Sequence, residues 1–226
     1  MDRKRRKISD YNKKEPTEDA IQFFIVYEGE VKEPPYFENF NNAFLKGRKA
    51  CIMHVLEKDT NIIGSQPSKL IERAKFFKEN TPKNLFISDD DKLRFVLDVD
   101  KHPPEQFPEL KEYCDGLNDA DLFISNFCFE VWLYFHLDEK ENIASTTSKE
   151  MKTELGEKHT QSKINNYPKG YLTIELISKA IERAKVADTN RENYFPAEKS
   201  SKVYLLMEEL LQYSLLNNSV DGAEIL

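Results

Sequence analysis

Residues 93–102 read LRFVLDVDKH, and the fold follows from how this stretch is read. Leu93, Phe95, Val96 and Leu97 make the near-continuous apolar run of a strand covered on both faces, and Asp98 and Asp100 follow at its carboxyl end. Side chains alternate along an extended chain, so the two aspartates share a side provided the strand persists through Val99. Ligands of open α/β sheets gather outside the carboxyl ends of the strands, which makes this acidic pair the first place to look for chemistry.

Similar runs lie on either side. IQFFIVY at 21–27 and DLFISN at 121–126 are short, apolar and rich in β-branched and aromatic residues, and CIMHVLEK at 51–58 alternates as a strand with one shallower face does. Between them fall helical periods. Tyr36, Phe37, Phe40 and Phe44 follow a proline-led start, Leu70, Ile71, Ala74 and Phe77 follow Ser68 as a cap, and 104–116 runs from Pro104 to Gly116. Residues 127–137, FCFEVWLYFHL, are too long and aromatic for a strand edge and read as a buried helix, whereas 84–91 is open between a short strand with a turn and a loop. Alternation of strand and helix predicts an α/β fold with a parallel four-stranded sheet flanked by helices and right-handed crossovers. From 141 the strand pattern stops, and 146–158, 173–187 and 203–216 are helical, with polar loops at 159–171 and 188–201. The expected organisation is a basic tail at 1–19, a core at 20–140 and a helical C-terminal extension at 141–226 packed on that core.

The 226 residues suffice for one sizeable domain, and the net charge of -7 rules out a surface that attracts nucleic acid as a whole, so such binding needs a local patch. The tail MDRKRRKISDYNKK offers one, either as a solvated arm or as a phosphate contact. Cys51, Cys114 and Cys128 are odd in number and widely spaced, which indicates neither a disulfide framework nor a cysteine zinc site and points to a reducing, cytoplasmic setting. No apolar stretch approaches the roughly 20 residues of a membrane span.

Glu28 stands directly after the first strand as Asp98 and Asp100 stand after the third. In one parallel sheet the three acids converge on one edge, where they raise one another's pKa unless a cation joins them. Oxygen-only ligands with open positions suit Mg²⁺ or Mn²⁺, usually shared with a phosphate. Gly29 would let that phosphate approach the backbone. Lys32 is a further candidate for reaching it.

EGEVKEPPYF at 28–37, DVDKH at 98–102 and SNFCFEVWLYFHL at 125–137 resemble the signature segments of the RloB-like proteins, a bacterial, phage-defence-associated group with a TOPRIM-type fold. The resemblance covers residues 20–140, with weaker similarity after Ser200. It implies a metal-dependent phosphodiester site in which Glu28 is the general acid/base and Asp98 and Asp100 hold the metal. It also implies a nuclease or phosphodiester-transfer enzyme acting on DNA or RNA in abortive infection or restriction-linked defence, often encoded beside an ATPase. The alternative is a non-catalytic nucleic-acid-binding or regulatory subunit working with that ATPase. Val31 and Lys32 depart from the family's Lys and Thr, and Phe127 replaces its usual proline.

Other residues have a plainer reading beside the functional one. His102 is a site residue or a loop histidine, and Glu130, inside an aromatic segment, is a site group or a buried acceptor that needs a partner. His54 reads as a strand-face histidine, and His136 and His159 rank lower as site residues. Asp89, Asp90 and Asp91 read as a solvated turn, Cys128 as core, and the aromatic rows at 36–44 and 129–135 as packing.

Overall fold

The computed structural model describes residues 20–46, 51–56, 62, 64–81, 85, 90–100, 102–162 and 167–216. The basic tail, and most of the open stretch at 84–91, lie outside the described residues. Four strands run parallel, β1 (Ile21–Tyr27), β2 (Cys51–Val55), β3 (Lys92–Asp98) and β4 (Ala120–Asn126). A fifth, β5 (Ser200–Ser201), pairs antiparallel with Asn126 and Ser125 of β4, giving the order β2-β1-β3-β4-β5. The sheet is therefore mostly parallel with one more strand than expected, and the strands do not stop at 141. Two consecutive serines carry no apolar alternation by which a strand could be recognised.

Period-two alternation decides what each face packs against. Phe23, Ile25 and Tyr27 of β1, Val96 of β3 and Phe123 of β4 join one core. It also takes in α1 (Glu33–Phe40), α4 (Phe129–Phe135), α5 (Ser148–Ser162), α6 (Ile174–Ala187) and α7 (Val203–Leu216). Val26, Phe95, Leu97, Leu122 and Ile124 face the other way, onto α2 (Pro67–Glu79) and α3 (Phe107–Asp115). Both faces of β3 are covered, as its apolar run requires.

The helices follow local chemistry. α1 carries Pro34 and Pro35 in its first turn, where no backbone N–H is needed, and continues as a wide turn over Asn41–Leu45. α2 opens at Pro67 with Gln66 as its N-cap, so Ser68 sits inside the helix rather than capping it. Every residue of α4 is buried, which accounts for its lack of a polar stripe. α7 is pinned to the sheet by Arg94, 2% exposed, whose guanidinium lies 2.8 Å from Glu209 and 2.6 Å from Asp119. The extension shares the first core with the sheet. Among the described residues no helix is long and apolar enough to cross a membrane.

One expectation fails at the organising strand. The extended conformation ends at Asp98, and Val99 and Asp100 enter a turn in which His102 N–H donates to Val99 O at 2.8 Å. Asp98 and Asp100 are therefore not alternate residues of one strand.

Candidate functional site

In a sheet ordered β2-β1-β3-β4, the chain leaves β1 toward one edge and later returns to the other, so the connections after β1 and β3 part and leave a crevice between them. Tyr27 is in register with Val96, which sets Glu28 beside the last residues of β3, and Glu28 N–H donates to Val96 O at 3.0 Å. The Glu28 carboxylate then bridges the two strand ends. Oε2 accepts the Asp98 N–H at 3.0 Å, and Oε1 lies 3.0 Å from His102 Nε2. Glu28 and His102 are both buried, and β1 and β3 are joined through them.

Asp98 has the opposite surroundings. Its Oδ1 is enclosed and, among the described residues, has no hydrogen-bond partner. Burial, followed by the negative charges of Glu33, Glu28 and Glu130, pushes its carboxyl well above the usual aspartate range. Glu33 and Glu130 are buried too, at 4% and 6% exposure. The Glu33 carboxyl is raised to about 7, first by burial and then by Glu130 and Glu28. The Cys128 thiol is pushed up by burial and by Glu130 and Asp98, so it forms a wall of the same cluster. Four acids thus crowd one sheet edge, and Glu33 is one that sequence reasoning missed. At the first turn of a helix, a glutamate passes for an ordinary favourable charge.

Asp100 is held by the C-terminal extension. Thr147 accepts the Glu150 N–H at 3.2 Å while Glu150 reaches back to Thr146, a capping arrangement that fixes where α5 starts. Ser148 and Lys152, one turn apart, then face Asp100. Ser148 Oγ donates to Oδ1 at 2.5 Å, and Lys152 Nζ lies 3.5 Å from Oδ2. Burial opposes the charge on Lys152, but Glu130, Cys128, Asp100 and Asp98 outweigh it and raise its pKa.

Gly29 does not open onto empty space. Its N–H donates to Glu33 Oε1 at 3.1 Å, and a methyl group there would overlap the Glu33 carboxylate. A side chain at position 29 requires the Glu33 carboxylate to shift. Lys32 lies over an aromatic ring, with Nζ 4.4 Å from the centre of the Tyr167 ring, while the Tyr167 hydroxyl donates to Lys32 O at 2.6 Å.

The remaining candidates are structural. His54 stacks on Phe24 and bonds Gln22. His136 is enclosed between the Tyr36 hydroxyl and Trp132 O, and burial lowers its pKa to about 3. His159 stacks on Tyr171. Asp91 accepts from Gln22, Asp90 lies exposed in a turn, and Asp89 is outside the described residues.

Residues 23–210 match the family described as RloB-like protein. The chain belongs to the RloB-like family. The match extends through α5, α6 and most of α7, so the RloB-like unit includes the helical extension as well as the acidic edge. No curated protein and no solved structure matches the chain.

Two observations bear on whether this RloB-like edge suits a divalent cation. An Asp98 oxygen that is enclosed and, among the described residues, unpartnered, in a carboxyl whose pKa burial and neighbouring acids raise, is what a cation would relieve. Yet among the described residues no three His, Cys, Asp or Glu side chains are arranged as a ready-made metal cage. The donor set is chemically right for a hard, oxygen-preferring ion.

Proposed function

We propose that this chain is a metal-dependent phosphodiester-cleaving enzyme, a nuclease of TOPRIM type acting on DNA or RNA in a bacterial defence or restriction-linked setting. The observation that carries this reading is Asp98 Oδ1, enclosed without a partner among the described residues, in a carboxylate that feels the charges of Glu33, Glu28 and Glu130. Asp98, Glu33 and Glu130 would hold Mg²⁺ or Mn²⁺, with Glu28 beside them. When bound, the ion neutralises the scissile phosphate and stabilises the departing oxygen.

The protein's own groups divide the remaining work. His102 orients the Glu28 carboxylate, which is thereby placed to take a proton from an attacking water. The Asp98 N–H fixes its other oxygen. Asp100 keeps α5 against the edge through Ser148, so its part is to position the extension rather than to ligate. The test is cleavage of labelled tRNA, single-stranded and duplex substrates with Mg²⁺ or Mn²⁺, with and without an ATPase encoded nearby. Activity lost in both Glu28→Ala and Asp98→Ala supports the reading, and no cleavage of any substrate in any condition overturns it.

A second reading has one observation in its favour. The unassembled cage and the internal hydrogen bonds of Glu28 and Asp100 suit a subunit that binds nucleic acid for a partner ATPase without turnover. Metal-dependent binding without cleavage, in every combination above, selects it.

A further inference from the structure

We propose that Lys152, carried by the C-terminal extension, contacts the phosphate of a bound nucleic acid at the acidic edge. The inference rests on the phosphodiester reading above and adds a residue to it that the core alone does not supply. A phosphodiester brings negative charge to an edge already occupied by Glu28, Glu33, Asp98 and Glu130, so a fixed positive group beside the acids is needed at the point of entry.

Among the described residues three cations come near this edge, and two of them have other contacts. Lys32 is laid over the Tyr167 ring. Arg73, which feels the charge of Glu28, donates to Tyr27 O at 3.1 Å and to Gly64 O at 2.5 Å. Lys152 differs from both. Its side chain is 49% exposed, and its one ion pair among the described residues, to Asp100 at 3.5 Å, is too long for a good hydrogen bond. An ammonium has three N–H donors, so directions toward solvent remain for a ligand. Ser148 donates to the other oxygen of that carboxylate, so Asp100 is held in place without relying on Lys152 alone. The capped start of α5 fixes the height of Lys152 on the helix, which is how a residue of the extension comes to face the turn that follows β3.

Phosphate contacts leave a signature that a structural lysine does not. Each one contributes about 0.7 to the slope of log affinity against log salt for single strands and about 0.9 for duplex. The experiment is fluorescence anisotropy of labelled single-stranded and duplex oligonucleotides over a salt series, with Ca²⁺ in place of Mg²⁺. It compares the full chain with Lys152→Ala, Lys152→Gln and Lys152→Arg, and with Lys179→Ala, a change of equal charge on α6. The slope should fall by about 0.7 or 0.9 in the Ala and Gln variants and be retained in the Arg variant. Slopes for Lys152→Ala and Lys152→Gln equal to that of the unmodified chain, or an equal fall in Lys179→Ala, overturn the role of Lys152 and leave the phosphodiester reading standing. An unmodified chain that binds neither oligonucleotide overturns both.

Discussion

Replacing Glu33 by glutamine tests the crowding of acids without any substrate. Glutamine keeps an oxygen to accept the Gly29 N–H and keeps the shape, but removes the charge that burial first, and then Glu130 and Glu28, oppose. Raising a carboxyl from 4.5 to about 7 means that the folded chain holds a proton the unfolded chain has already released. Stability therefore falls as pH rises through that window and stays low above it. At about 1.4 kcal/mol for each tenfold change in proton affinity, the penalty above pH 7 is about 3 kcal/mol, and it vanishes below pH 4.5 where both states are protonated. For a chain of this size, each kcal/mol moves the melting temperature by about 2–4 °C, so Glu33→Gln should melt roughly 6–12 °C higher in EDTA at about pH 8. Near pH 4.5 the two proteins should melt together. A variant that melts lower at the higher pH, or one whose gain is the same at both, refutes the claim that Glu33 is held in a repulsive cluster.

Further expectations follow from the same contacts. Gly29→Ala places a methyl on the Glu33 carboxylate and should destabilise the chain by about 1–3 kcal/mol, while Glu33→Ala in the same chain should restore most of the loss; chemical denaturation of the two singles and the double measures this coupling. Lys202→Met leaves Asp188 buried without the ammonium now 2.6 Å away and should cost about 3–5 kcal/mol in urea unfolding, with little effect from Lys179→Met on the exposed face of α6.

The sheet was legible where packing dictates sequence. β1, β3 and β4 are apolar because both their faces are covered, and α4 reads as buried because it has no polar side. The convergence of Glu28 with the end of β3 was legible on the condition that both strands lie in one parallel sheet, which they do as neighbours. What could not be read depends on side chains meeting across long separations. Glu33 folds back onto Gly29, Lys152 arrives from a helix beyond the core, and Asp100 is turned toward Ser148 by a bend that the alternation of DVD does not announce. β5 lacks any pattern because it is two serines added to the edge of β4.

The account depends on Asp98 being an oxygen ligand kept free for a cation, and Mn²⁺ binding measured by isothermal titration calorimetry addresses that directly. The unmodified chain at neutral pH should take up Mn²⁺, and Asp98→Asn, folded to the same melting temperature or higher in EDTA, should not. Heat and stoichiometry unchanged by Asp98→Asn, or no Mn²⁺ uptake by the unmodified chain, would contradict it.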